Sequence, residues 1–384
     1  MSWRPSCRAQ CALRRRYASK TSPKRRKISD TRQIQRRTRV GTKKFTYAKA
    51  GVDIEAANLT KQRIRSIVHS TFRPEVLSDV GSFGGLFAPK WQKYREPVLV
   101  SSVDSVGTKL KIAFRMGVHN TVGIDIVSHC VNDILVQGAE PLFFMDYIAM
   151  AEHRGDVVVE IIEGIARGCR AAGCALLGGE MAELPGFYHK GEYDLVGMIV
   201  GVVDRQKIID GSNIRPGDLI IGLASNGLHT NGYSLARKLL FEVAGLDVHS
   251  FVESLGTTVG EELLRPHYCY ARPVLKLLET FPVHGIAHIT GGGLQDNIPR
   301  ILPSGIGAQI RLGTWEIPPI FPLLQQIGDV PQEEMFHTFN MGIGLVLVVP
   351  AQRCPQARQF LEKQGERTFL IGEVVRGEQK VDFV

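Results

Sequence analysis

No apolar run in this chain approaches the roughly 18 residues that a membrane helix needs. Its runs are short, Leu195–Val203 being typical, and suit core strands. No C-x-x-C pair occurs among the seven cysteines (7, 11, 130, 169, 174, 269 and 354), and their number is odd. That pattern speaks for reduced thiols in a reducing compartment, mostly packed in a core. Acids are nearly missing from the first 44 residues, where sixteen Lys/Arg face the single Asp30. The remainder holds thirty-one Lys/Arg against thirty-seven Asp/Glu, so the formal charge of +9 belongs to the tail. A mildly acidic body argues against nucleic-acid binding as the main task. No convincing internal repeat is present.

What is there is a chain of 384 residues, 44% hydrophobic and with 40 glycines. Its length suggests two domains and its glycines suggest many tight turns. Residues 1–44 carry little apolar pattern and are expected to be disordered. They read as an organelle leader, as a nuclear signal at Lys24-Arg25-Arg26-Lys27, or as a start-site extension without function. The expected division is 1–44, 45–204 and 205–384, with Arg205–Pro216 as the linker.

The stretch from Val100 to Met150 is the densest in chemistry. Pro97–Val103 reads as a buried strand ending in Asp104-Ser105-Val106-Gly107-Thr108-Lys109. A carboxylate, a glycine, a hydroxyl and an ammonium within six residues suit a magnesium-bound phosphate. The run is not the G-x-x-x-x-G-K-[ST] loop, and an Asp before Gly at a strand end is commonly only a turn. Asp125 follows another apolar-Gly turn, and Asp133 comes eight residues later. On a helix the two would face roughly the same way. Three carboxylates converging near Lys109 are costly unless a cation shares them.

Other segments repeat the device. Tyr47–Asp53 reads as a short extended piece and Ile54–Ser70 as a helix. Gly84-Gly85, in the loop from Asp79, either lie over phosphates or form a hairpin turn. Asp156 can cap a helix running to Arg170 and stopped by Gly173. Cys174–Leu177 reads as a strand ending in Gly178-Gly179-Glu180. His189 sits in the polar loop beyond; a lone loop histidine is usually solvated, and only its acid neighbours make it interesting. A strand at Asp218–Leu223 leads into the polar loop 224–232 and the helix Tyr233–Ala244. Ala287–Gly293 opens a second helix, Leu294–Ile301. Such loops at helix N-termini are natural anion sites.

With these residues laid out, the chain resembles the phosphoribosylformylglycinamidine cyclo-ligase (AIR synthetase) family. The motifs AGVD, GSFGG, DSVGTKLK, GIDIVSHCVND, QGAEPLFFMDY, GGEMAELPGFYH, SNGLHTNGYSLARK, HITGGGLQDNIPR and TFNMGIG run in order from about Tyr47 to the last strand. The resemblance implies an α+β (α/β-like) subunit of two domains. The N-terminal domain (45–204) would bind ATP and pair its sheet with a second subunit into a barrel, giving a homodimer. The C-terminal domain (205–384) would bind the nucleotide substrate.

The resemblance also implies ATP and Mg2+ as cofactors. ATP would lie near Asp104, Gly107, Thr108, Lys109, Asp125, Asp133, Glu180, Gly84 and Gly85, with Asp104 and Asp125 on the metal. Asp104, Lys109 and His189 would be catalytic. Ser225, His229, Thr230, Asn231, Thr290, Gly291 and Gly292 would hold the substrate phosphate, with His229 orienting the substrate. The implied reaction is ring closure of formylglycinamidine ribonucleotide to aminoimidazole ribonucleotide, in the cytoplasm, or in mitochondrion or plastid if the tail is a leader. Ser105 departs from the family's usual glycine, and Ala48 stands where the family has lysine, with Lys49 one later. The alternatives are another enzyme with the same ATP cradle, such as a thiamine-phosphate kinase or a selenophosphate synthetase, or a nucleic-acid binder using the tail. Residues 79–87 lack the cysteine that a selenophosphate synthetase would want.

Overall fold

The computed structural model describes residues 46–384. The readings made for residues 1–44 lie outside the described residues. The first sheet joins β1 (Pro97–Ser105), β2 (Glu140–Met150), β3 (Ala175–Glu183) and β4 (Tyr193–Asp204) in the order β1-β4-β2-β3. β2 and β3 are parallel and the other pairs antiparallel. Helices α1 (Ile54–His69), α2 (Leu110–Met116), α3 (Val122–Leu135) and α4 (Gly155–Ala172) belong to this half.

The period-2 alternation of β1 sorts its side chains between two faces. Val98 and Val100 pack on the core under the helices. Leu99 and Val103 point the other way and are 59% and 65% exposed. Val103 pairs with Met198 across β4, and Met198 with Met145 on β2. Exposed Leu99, Val103, Tyr147 and Met198 therefore form one uncovered apolar face.

α4 forms as its spacing predicts. Val158, Ile161, Ile162, Ile165 and Cys169 are buried, and Gly173 at φ 82° ends the helix in the left-handed region. Arg154 is the N-cap, and Asp156 sits in the first turn against Arg63 at 2.8 Å. Gly123 is not the turn expected before Asp125; it lies inside α3. A Cβ there would sit 2.3 Å from the Ile161 carbonyl of α4, and one on Gly164 would sit 2.4 Å from the Asn120 carbonyl. These glycines let the two helices meet backbone to backbone.

The second sheet contains β5 (Leu219–Ala224), β6 (Gly285–His288), β7 (Ile306–Ile310), β8 (Ile343–Val349), β9 (Thr368–Arg376) and β10 (Val381–Phe383). Their order is β10-β7-β9-β5-β8-β6, antiparallel except for β10 with β7. All seven residues of β8 are buried. The chain is a two-domain α+β fold, one large sheet to each half, with a small two-stranded sheet, Phe251–Val252 against Thr257–Thr258, added to the second.

Three local expectations are corrected. The start of the described residues carries a 3-10 turn at Ala48–Ala50 rather than an extended piece. The strand from Ala175 runs on through Gly178-Gly179-Glu180 to Glu183, because its partner β2 continues beside it. The two helices after the polar loops are broken. Tyr233–Arg237 passes into a π-helical stretch, Lys238–Val243, and Gly293–Asn297 is followed by a 3-10 turn, Pro299–Ile301. Short helices give a weak dipole, so any anion binding there rests on named donors.

Candidate active site

A cavity of about 540 Å³ opens where the β1 edge of the first sheet faces β6 of the second, lined by Ser102, Asp104, His129, Asp133, His288, Thr290 and Arg300 among others. β1 delivers Asp104 near its end. α3 delivers His129 and Asp133 one turn apart on the same side. β6 ends at His288, and the following loop brings Thr290.

These groups form one hydrogen-bonded set. His129 Nε2 lies 2.9 Å from Asp104 Oδ2 and 3.9 Å from Asp133 Oδ2. His288 Nδ1 lies 2.8 Å from Asp133 Oδ1, and Ser102 Oγ donates to Asp133 Oδ2 at 3.0 Å. Thr230 Oγ1 bridges His129 Nδ1 at 2.7 Å and His267 Nδ1 at 3.2 Å. The bond from His129 holds Asp104 below the usual carboxylate range. Burial, the largest single influence, pushes Asp133 up, but the His288 bond, the charges of His288 and His129 and the Ser102 bond together outweigh it, and Asp133 too is lowered. Burial works against charge on His129, yet Asp104 and Asp133 hold it above its ordinary value. At His288 burial wins and the value falls. Two ionised carboxylates thus sit around a position now taken by an imidazole. That hard-oxygen pair fits a divalent cation such as Mg2+.

The expected convergence of three acids on Lys109 is not what forms. Asp125 and Lys109 are fully buried and paired at 2.8 Å. Lys109 Nζ also donates to the carbonyls of Arg265 at 2.7 Å and His229 at 3.2 Å, and Asp125 Oδ1 accepts the His267 N–H at 2.7 Å. All three ammonium protons are taken by protein acceptors, so this pair ties α3 to the second half of the chain. Neither residue lines the cavity. Gly107, at φ 69°, turns β1 into the helix, and Thr108 Oγ1 lies 3.3 Å from Ser234 Oγ.

Gly84, Gly85 and Glu180 lie elsewhere, around a second cavity of about 430 Å³ at the β3 edge. Lys61, Ile64, Val68, Asp79, Met145, Asp146, Leu176 and Leu177 also line it. The β1 and β3 edges are separated by β4 and β2, so one protomer does not bring all the expected ATP residues together.

The expected substrate residues divide as well. Thr290 faces the first cavity. Asn231 Oδ1 is 3.5 Å from where a Gly291 Cβ would be, and its buried Nδ2 has no acceptor among the described residues. Gly292 turns the loop at φ 95°. Ser225 Oγ is spent on Asn340 Oδ1 at 2.9 Å. His229 is 1% exposed at φ 61°, stacked on His267 with ring centroids 4.1 Å apart, and faces the core rather than the cavity. His189 is exposed on the loop after β3 and lines neither cavity.

Sequence reasoning missed His129, His288, Arg300 and Asp146. His129 carried a signal: it stands four residues after Asp125 and four before Asp133, on one helical face. His288 lies inside the expected stretch Ala287–Gly293. Asp146 had no signal beyond being an acid inside an apolar strand.

The AIR synthase related protein, N-terminal domain, matches residues 93–203, and the AIR synthase related protein, C-terminal domain, matches residues 215–384. Over 329 residues the chain is 56% identical to phosphoribosylformylglycinamidine cyclo-ligase of Trichlorobacter lovleyi, covering 86% of this chain and 94% of that protein. It is 52% identical to the same-named protein of Alkaliphilus oremlandii, covering 88% of this chain and 99% of the other. Among solved structures the fold is similar to thiamine-monophosphate kinase from Stenotrophomonas maltophilia, with TM-score 0.60 at 18% identity over 84% of this chain and 94% of that one. It is likewise similar to hydrogenase maturation protein HypE in complex with ATP, with TM-score 0.60 at 18% identity over 84% and 90%.

Proposed function

The chain belongs to the phosphoribosylformylglycinamidine cyclo-ligase family, ligases of purine biosynthesis, and from that premise we propose how its own residues carry out the ring closure. The reaction joins formylglycinamidine ribonucleotide and ATP to give aminoimidazole ribonucleotide, ADP and phosphate. An amide oxygen is a poor leaving group. Its attack on the γ-phosphorus of ATP expels ADP and makes an iminophosphate. The neighbouring nitrogen then attacks the same carbon, phosphate leaves, and the surplus proton passes to water. Holding the substrate bent supplies much of the rate.

Asp104 and Asp133 are the residues that would hold Mg2+, because both face the open cavity while Asp125 is sealed against Lys109. Bound there, the metal would neutralise charge on the transferring phosphoryl group. His288 fixes Asp133, and His129 holds Asp104. Asn231 Nδ2, an orphaned buried donor, serves the substrate phosphate together with Thr290, and Arg300 stands at the rim. Lys109 positions α3 rather than touching phosphate. The observation that carries this reading is the cavity itself, where carboxylates from one half meet Thr290 and Arg300 from the other. The test is incubation with formylglycinamidine ribonucleotide, ATP and Mg2+, expecting aminoimidazole ribonucleotide and ADP in equal amounts. ADP release without the ring product overturns it.

A second copy completes the site. The uncovered apolar face of the first sheet supports a homodimer in which two sheets close into a barrel. Such closure is the way to bring the β3 edge, with Glu180 and the 79–85 loop, near a β1 edge carrying Asp104. Asp104→Asn and Glu180→Ala proteins, each inactive alone, should regain about one quarter of wild-type activity when co-refolded as an equal mixture. No recovery in confirmed mixed dimers places each site within one protomer. The five described cysteines are free thiols, in keeping with work in the cytoplasm.

A further inference from the structure

The cavity at the β3 edge contains an acid that the roles above leave unused. Asp146 lies in β2 with 8% of its surface exposed, and it lines this cavity of about 430 Å³. Its carboxyl takes a hydrogen bond from its own backbone amide and feels the charge of Glu180. A carboxyl so placed on an apolar strand is costly unless a ligand uses it.

The walls say what kind of ligand. Ile64, Val68, Ile162, Leu176, Leu177 and Met145 present apolar surface, while Lys61, Asp79 and Glu180 supply charge. Two glycines keep the space in its present form. A Cβ on Gly179 would stand 2.4 Å from Asp146 Oδ1, and one on Gly85 would stand 2.4 Å from Leu177 Cγ. The first would push the carboxyl aside, and the second would drive Leu177 out of place.

Building on the ring-closure reading, only one reactant carries a flat aromatic ring. The formylglycinamidine nucleotide is an open chain on a ribose phosphate, and the adenine of ATP is the only planar base that enters. A slot with apolar walls and one directional polar group matches a purine ring. We propose that Asp146 reads the adenine edge of ATP, donating its acid proton to N1 and accepting a hydrogen from the 6-amino group.

That pairing needs the neutral acid. Burial, with Glu180 adding to it, raises Asp146 to about 7, and an adenine filling the slot would bury it further. The titratable groups around it are Glu180 on β3, Cys169 on α4, and Asp79 and Lys61 at the cavity. Ionisation removes the donor and sets a carboxylate against the N1 lone pair, so nucleotide affinity falls as pH rises through the acid's value in the complex. An asparagine offers the same donor and acceptor without titrating.

The test compares ADP with 1-deaza-ADP, which lacks the N1 acceptor, by calorimetric binding between pH 6 and 9, alongside turnover of ATP. Wild-type protein should bind ADP about 10-fold more tightly than 1-deaza-ADP at pH 6.5, with the advantage shrinking toward pH 9. Asp146→Asn should keep the advantage at every pH. Asp146→Ala should bind both weakly and alike. Equal affinities in wild type, or an Asp146→Ala protein that still discriminates, overturn the proposal. Discrimination in binding without ring closure in the turnover assay would sink the reaction assignment and leave the base contact standing.

Discussion

Replacing Lys109 with methionine separates a structural lysine from a phosphate-binding one. The side chain is 0% exposed, and its ammonium serves Asp125 at 2.8 Å and two backbone carbonyls. Methionine fills nearly the same volume but leaves Asp125 buried without its counter-charge. Breaking one partner of a buried pair costs about 3–5 kcal/mol. The unfolding entropy is about 2.1 cal/mol/K per residue. Over residues 46–384 that makes roughly 0.7 kcal/mol/K, so the melting temperature should fall by about 4–7 °C. Replacing Asp125 with leucine as well should return much of the loss, because the uncompensated charge is gone. The assay is thermal melting of both variants, with KM for ATP measured well below the melt. The structural role requires a lowered melting temperature and an ATP KM within about threefold of wild type. A Lys109→Met protein as stable as wild type but with ATP KM raised tenfold or more would refute it and return Lys109 to the phosphate.

Other outcomes follow from the same geometry. Asp104→Asn should abolish ATP turnover in a folded protein, since an amide holds magnesium poorly; circular dichroism and an ADP-release assay check both halves. Asn231→Ala should raise KM for the formylglycinamidine nucleotide about 10- to 150-fold, from one hydrogen bond to a charged group, while leaving ATP alone; an effect on ATP instead would assign the loop to the other ligand. His129 sits above its usual value through Asp104 and Asp133. In metal-free protein its contribution to stability is full below about pH 6.5 and is lost as pH rises through the folded value. The melting-temperature gap between wild type and His129→Gln should therefore narrow with rising pH, and a gap constant to pH 9 would count against the pair.

Much of the fold was legible because it is written in local periods. α4 and β8 follow their apolar spacing almost to the residue, whereas β1 forms where expected but is not the buried strand its apolar run suggested, because one of its faces, with Leu99 and Val103, is uncovered. What spacing could not give was direction. Asp104, Lys109, Asp125 and Asp133 are close in sequence, but the turn at Gly107 sends Lys109 inward while Asp104 stays at the cavity. Nor could it reveal what a glycine is for: Gly123 reads as a turn and acts as a helix contact, because its reason lies on α4, about forty residues away. His129 and His288 come from a helix and a strand in different halves, and only the tertiary fold makes them neighbours.

The glycine contact between α3 and α4 bears on which parts of the enzyme can move. Where backbones touch at Gly123 and Gly164, there is no side-chain layer to shear or re-pack, so neither helix can slide along the other. α3 carries His129 and Asp133, and its Asp125 is bolted to Lys109. The side of the reaction proposed to hold the metal therefore rides on a stiff platform. The 289–293 loop is held as well, since a Cβ on Gly293 would stand 1.8 Å from the Phe336 carbonyl, so gating falls to the 79–85 loop over the other cavity. In this enzyme the ligands would close onto the carboxylates, not the carboxylates onto the ligands.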